Sequence, residues 1–218
     1  MNEYRRRFIT ASNSPEIIEE KANVLASVLF CIATVQTKDL IDLLNEKSQA
    51  LRYEKVDPDK FFDTMIEHIF LYYHYVDRVA HIKLSSELRK LFSDKLYLSL
   101  IKQLIGKNSP QQRTSIAHKW NERQHEYAKY PPFPKKNEAA NETIFYKFGY
   151  NVAKIFGLHL LEEEHSPDIP TWSDYNPLIQ IVVSVYATTT ITETFFSLEL
   201  FDFLSDATDE LAGPYPIH

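Results

Sequence analysis

The stretch DPDKFFDTMIEHIFLYYHYVDRVAHIKL, Asp57 to Leu84, decides the fold. Asp57 can accept from the first free amides of a helix, and Pro58 suits a first turn where its missing N–H costs nothing. At about 100° per residue, Phe61, Phe62, Met65, Ile66, Ile69, Tyr72, Tyr73, Val76, Val79 and Ala80 fall on one broad face. Asp63, Glu67, His74, Arg78 and His81 fall opposite, where solvent is the default. A helix of roughly 24 residues is about 36 Å long at 1.5 Å per residue. That length suits a central rod on which other helices pack.

The rest of the chain agrees with a helical reading. Four glycines in 218 residues compare with about fifteen at average usage. Hairpin turns call on Gly or Asn for φ > 0, so the shortage argues against a many-stranded sheet. Ser14-Pro15, Ser109-Pro110 and Asn176-Pro177 repeat the cap-plus-proline start, and Ser85 or Ser86 opens another helix. The first helix turns Ile17, Ile18, Val24, Leu25, Val28, Leu29 and Ile32 inward, with a kink or restart expected at Thr37 or Asp39. Residues 109–130 form a helix anchored by Ile116, Trp120 and Tyr127, ended by Pro131, Pro132 and Pro134. Residues 139–163 form the next and bury Ile144, Phe145, Phe148, Val152, Ile155 and Phe156. Its Gly149, Ala153 and Gly157 leave room for a neighbouring backbone. Residues 178–204 are apolar nearly all round and rich in Val, Ile and Thr, a composition that also suits strands. Length and missing turn residues favour a buried helix there, with a C-terminal hairpin as the alternative.

The expectation is therefore an all-α, single-domain bundle of six or seven helices over 14–205. A basic arm at 1–13 would precede it and a tail at 206–218 would follow. Arg5-Arg6-Arg7-Phe8-Ile9 superficially resembles a twin-arginine export signal, but a polar segment intervenes before any apolar run. The later run from Val24 to Val35 is too short to span a bilayer. A cytoplasmic protein without membrane contact is expected. Cys31, the lone cysteine, sits in VLFCIATV and reads as core packing.

The net charge of −6 is unevenly divided. Residues 78–136 hold 13 Lys+Arg against 4 Asp+Glu, a net of +9, while residues 1–77 carry −4 and residues 137–218 carry −11. The basic middle could bind nucleic acid or pack on the acidic C-terminal third. The second is favoured, because the whole chain is acidic.

Chemistry-bearing patterns are sparse. No phosphate-binding glycine loop, Cys-x-x-Cys, Gly-x-Ser-x-Gly or His-Glu-x-x-His occurs. His74, Asp77 and His81 recur at helical spacing, as do His118, Glu122 and His125. A metal at either would need a facing ligand, and Asp77 is better placed to pair with a cation of the next helix. Glu122-x-x-His125 and Glu162-x-x-His165 have the spacing used in di-iron bundles, which also need glutamates from two further helices. His159 falls among apolar residues of its helix, and a buried histidine must be hydrogen-bonded or functional.

Arg113-Thr-Ser-Ile-Ala-His118 resembles the Arg-x4-His motif of the helical HEPN ribonucleases. The resemblance implies metal-independent RNA cleavage by Arg113 and His118 across a dimer. Thr114 departs from the Asn, Asp or His preferred after the arginine. It covers six residues of the chain, so the favoured reading is different. That reading is a non-enzymatic, cofactor-free helical protein that contacts itself or another protein. Its expected recognition surface is Asn121, Glu122, Arg123, Glu126 and Tyr127, polar residues before a proline break.

Overall fold

The computed structural model describes residues 12–51, 55–105, 110–130, 143–156 and 177–205. These residues are 90% helical and contain no strand, so the all-α bundle is observed and the C-terminal hairpin is excluded. The helices are α1 (Pro15–Leu51), α2 (Phe61–Lys83), α3 (Ser86–Ile105), α4 (Pro110–Tyr127), α5 (Ile144–Ile155), α6 (Pro177–Leu198) and α7 (Leu200–Leu204). The arm and tail expected at the termini lie almost wholly outside the described residues, as does His159.

Prolines mark the helix starts as expected. Pro15, Pro110 and Pro177 each open a helix, and Pro58 opens a 3-10 turn leading into α2. At that turn the Asp59 amide donates to the Asp57 carboxylate at 2.9 Å. Ser85 precedes α3 and its hydroxyl oxygen accepts from the Leu88 amide. At the other end of the bundle, Glu199 at φ 46° separates α6 from α7.

α2 is the central rod. It touches α1, α3, α4, α5 and α7, and every residue from Thr64 to Tyr72 is buried. A helix packed on so many sides has no full polar face. Glu67 and His74, expected in solvent, are therefore buried, while Phe62, expected inside, is exposed at the start of the rod.

α1 runs unbroken past Thr37 and Asp39, so no restart occurs there. Thr37 turns its hydroxyl sideways onto the His68 ring at 3.1 Å instead of capping a new helix. Small residues on the core side of α1, Ala22, Ala26 and Ala33, are fully buried beside Leu25 and Leu29. They leave room for α3, whose Phe92, Leu96, Leu100 and Leu104 form the facing stripe. Three polar rungs edge this contact: Lys95 to Glu19 at 2.9 Å, Ser99 to Asn23 at 2.6 Å and Gln103 to Ser27 at 3.4 Å. Each rung advances four residues on both helices, so α1 and α3 run parallel in one register. Cys31 corrects another expectation. It is exposed, because Leu29 and Ala33, each two residues away, take the core side of the helix.

α5 and α6 approach closely at Gly149. A β-carbon there would meet the Ser184 hydroxyl and lie 2.8 Å from the Gln180 carbonyl. That is the role its small side chain suggested. Ala153 is fully buried nearby, and Gly157 is outside the described residues. Ile144, Phe145, Phe148 and Val152 are buried, while Ile155 and Phe156 are half-buried.

Basic middle residues pair chiefly with the first third of the chain. Arg89 meets Asp77, Lys95 meets Glu19, Lys119 meets Asp63 and Arg123 meets Glu67. The described pair joining the middle to the C-terminal third has the opposite polarity, Glu126 with Lys147. Most of the acidic residues of 137–218 lie outside the described residues, so the expected packing of the basic middle on them is not part of the described pairs.

Candidate functional site

Among the described residues, a concentrated set of interior charges lies where α2, α4 and α5 converge. α4 is held there by Trp120, whose ring meets Phe70, Tyr73 and Tyr97 edge-on at centroid distances of 5.2, 4.6 and 4.8 Å. Ile116, Trp120 and Tyr127 are all buried, so the three expected anchors are anchors. They sit at steps of four and seven residues, and Arg123 completes the same stripe at a step of three beyond Trp120. Arg123 is thereby carried inward.

Its Nε–H donates to both Glu67 carboxylate oxygens at 2.9 Å. Glu67 is 2% exposed. The Tyr127 hydroxyl reaches the same carboxylate at 3.5 Å, so Glu67 acts as an acceptor throughout. Burial pushes its carboxyl above the usual range, and the Arg123 charge works against that shift. Burial alone would pull the Arg123 guanidinium down, yet the Glu67 charge and hydrogen bonds leave it raised. The acceptor-only contacts of Glu67 describe an ionised pair.

Glu126 closes the network toward the surface. It accepts from Arg123 Nη1 at 3.2 Å, Asn151 Nδ2 at 3.0 Å and Lys147 Nζ at 2.9 Å. Burial raises its carboxyl, but the hydrogen bonds from Lys147 and Asn151 outweigh it and hold the group low. Lys147 also lies 4.0 Å from the centroid of the Tyr150 ring. Two carboxylates and two cations balance to zero across three helices. Bonded to one another in this way, the groups tie the three helices together.

This changes the expected recognition surface. Asn121 and Glu122 are exposed. Arg123 and Glu126 are drawn into the network, and Tyr127 is 0% exposed. The polar appearance of the run reflects interior pairing on one side of α4 and solvent on the other.

Two histidines belong to the interior as well. His68 is fully buried, its Nδ1–H shared between the Thr64 carbonyl at 3.0 Å and the Thr37 hydroxyl oxygen at 3.1 Å. The Phe148 ring meets it edge-on at 4.9 Å. His74 donates from Nδ1 to the Gln124 side-chain oxygen at 3.3 Å, while Gln124 Nε2 donates to the Phe70 carbonyl. Nε2 of both rings is buried without a partner. Burial brings His68 down to about 4. Burial, reinforced by Arg78, does the same for His74. Both are neutral at pH 7. His68 lay hidden between Glu67 and Ile69 on the central helix, where a single histidine gives no periodic signal.

Glu162 and His165 lie outside the described residues, and the other metal patterns do not assemble. Among the described residues no three His, Cys, Asp or Glu side chains converge. Asp77 pairs with a cation of the next helix, as its position suggested: Arg89 Nη2 donates to it at 2.7 Å and the Ser93 hydroxyl at 2.6 Å. Arg89 also reaches His81 at 3.1 Å. His118 and Glu122 are exposed and 3.5 Å apart, and His125 is bonded to the Asn121 carbonyl. Arg113 falls in the first turn of α4 with its side chain outside the described residues. Five residues at about 100° each place it about 140° around the helix from His118, so the two do not share a face. Comparison with known proteins finds no matching family model, curated protein or solved structure.

Proposed function

We propose that this protein works by protein–protein association, in a cytoplasmic setting, with the outer face of α6 as its docking surface. One observation carries the reading. Ile181 and Val185 are 49% and 60% exposed on a helix with no charged residue from Pro177 through Thr192.

 Glu193 is thus the first charge on α6. Soluble surfaces interleave charges with apolar residues, and an uncharged helix face with bare branched aliphatics marks a contact surface. The charged network at α2, α4 and α5 supports the same reading from the other side, because its groups are bonded to one another.

The single cysteine, exposed on α1, suits a reducing compartment. α1 also contains an apolar window long enough to cross a membrane, but part of it is buried in the fold and its rim carries the polar rungs to α3.

The test is cross-linking and capture with the full chain and with Val185→Lys. The expected result is a bound species that the wild type retains and the variant loses while keeping its helical spectrum. Equal retention by both would reject α6 as the docking face.

A further inference from the structure

We infer that His68 is an acid-sensitive latch: a second proton on its ring releases α5, with α6 packed on it, from the central rod while α1 and α3 stay paired. The inference is independent of docking at α6. It rests on where the ring sits and on what its two nitrogens can do. His68 is fully buried on α2, with the Thr37 hydroxyl of α1 at 3.1 Å and the Phe148 ring of α5 at 4.9 Å. The Thr64 carbonyl can only accept, so Nδ1 carries the hydrogen and Nε2 holds a lone pair. A second proton must therefore go to Nε2, which is buried with no hydrogen-bond partner. A neutral acceptor in such a place costs far less than a charged donor.

No countercharge faces the ring among the described residues. On α1, Lys38 and Asp39 are exposed. On α2, Glu67 is taken by Arg123 of α4, and Asp77 by Arg89 of α3. On α5, Lys147 is taken by Glu126 of α4, and Lys154 is exposed. Glu193, Glu199 and Asp202, on α6 and beyond it, are exposed as well. The Tyr72 ring lies 6.0 Å away, and burial holds both its hydroxyl and that of Tyr186 above the ordinary range, so neither ionises in acid.

The side that yields follows from the contacts. Toward α1 and the rod's own backbone, Nδ1–H donates as before. Toward α5 the ring meets carbon: Phe148 itself, with Phe145 stacked on Tyr75 at 5.9 Å beside it. Carbon cannot solvate a charge, so water must enter there. α6 moves with α5 because the two backbones pack closely at Gly149, against Gln180 and Ser184. Release breaks two bonds between α6 and α1, Gln36 to Thr194 at 2.6 Å and Tyr186 to the Gln36 carbonyl at 2.9 Å. Lys147 and Asn151 stay bonded to Glu126 and leave the α4 edge as the hinge. α1 and α3 keep their polar rungs throughout.

Burial brings the closed ring down to about 4, against about 6.5 in water. The latch is therefore fully closed above about pH 6.5 and weakens as pH falls toward 4. Between pH 7 and pH 5 the opening equilibrium is expected to rise roughly twentyfold. Hydrogen exchange of the full chain at the two pH values, with labelling times scaled for the intrinsic rate, reads this segment by segment. Amides of 144–155 are expected to lose protection roughly twentyfold at pH 5, and those of 86–105 to keep theirs. His74→Gln, at a ring that faces Gln124 of α4, is expected to leave the pattern intact. His68→Gln is expected to abolish the acid-dependent loss in α5. An α5 as protected at pH 5 as at pH 7, or a loss spread equally over α3, would overturn the inference from the wild type alone, whether or not a variant folds. An acid-dependent loss that survives in His68→Gln, or one that vanishes in His74→Gln, would overturn it too.

Discussion

The α2–α4–α5 junction and the outer face of α6 invert the usual arrangement of a globular protein. At the junction, Glu67 and Arg123 place opposite charges in the interior; on α6, Ile181 and Val185 place aliphatic carbon in water. The inside charges are nearly complete in their hydrogen bonding, so that region holds the fold together. The outside carbon is about half or more exposed, and it is there that the proposed contact would form. Burial and exposure alone do not separate structure from function here; the completeness of each group's partners does.

The largest expected effect comes from breaking the interior side of this contrast. Arg123→Met leaves the Glu67 carboxylate buried without its cation, which should cost about 3–5 kcal/mol of stability. Urea denaturation at pH 7 measures it. Replacing both partners, as Glu67→Leu with Arg123→Met, should recover most of the loss, because the charge that needed compensation is gone. A single variant as stable as wild type would mean that water reaches Glu67 and that the junction is not sealed.

Acid tests the same region through its histidines. His68 and His74 are held down to about 4, first by burial, whereas in the unfolded chain they take protons near pH 6.5. Below that value the unfolded state binds protons that the fold refuses. Stability is therefore complete above about pH 6.5 and falls as pH drops toward 4, by up to roughly 3 kcal/mol per histidine. Glu126, held low, adds a loss of the same sign as pH falls through the carboxylate range. Glu67, raised by burial, works in the opposite sense there. Denaturation midpoints at pH 7, 5.5 and 4.5 should show the fall, and His68→Gln with His74→Gln should flatten it. An unchanged slope in the double variant would place the acid sensitivity elsewhere.

How far the sequence could be read follows from the same physics. Proline after Ser, Asp or Asn marked helix starts because a missing amide hydrogen is harmless only there. Ile116, Trp120 and Tyr127 were legible as anchors because they are large, apolar and in phase. Arg123 lies in that phase too, yet a charged residue in a polar run reads as surface until its partner on another helix is known. Glu67 was misplaced for a related reason: a periodicity argument assumes one wet face, and α2 is surrounded. Cys31 erred the other way. In an all-apolar run the phase is carried by residues such as Ala22, Ala26 and Ala33, whose small size weakens the signal. The charge division was visible in the sequence, but its pairing is tertiary, and among the described residues the first third of the chain supplied most of the partners.

Moderate effects are expected where α6 is fastened to the rest. Gly149→Ala sets a β-carbon against the Ser184 hydroxyl and the Gln180 carbonyl. The carbonyl is backbone and cannot swing aside, so the helices must separate slightly, at a cost of about 1–3 kcal/mol. Thermal unfolding checks this. A variant at least as stable as wild type would show that the α5–α6 approach has slack.

The smallest effect sharpens the contrast most. Val183 and Val185 are the same residue two positions apart on α6, about 200° around the helix. Val183 is 0% exposed and Val185 is 60% exposed. Val183→Ala removes buried methyl groups and should cost about 2 kcal/mol at any protein concentration. Val185→Ala should change the stability of the separated chain by no more than about 0.5 kcal/mol, as exposed substitutions do. Measured with and without a captured partner, the two should part. The Val183 loss stays constant, whereas a Val185 loss appears only where a partner is bound, because a bound partner stabilises the folded state by mass action. If Val185→Ala is as costly as Val183→Ala in dilute solution, its side chain is packed within the chain, and the outer face of α6 is not a free surface.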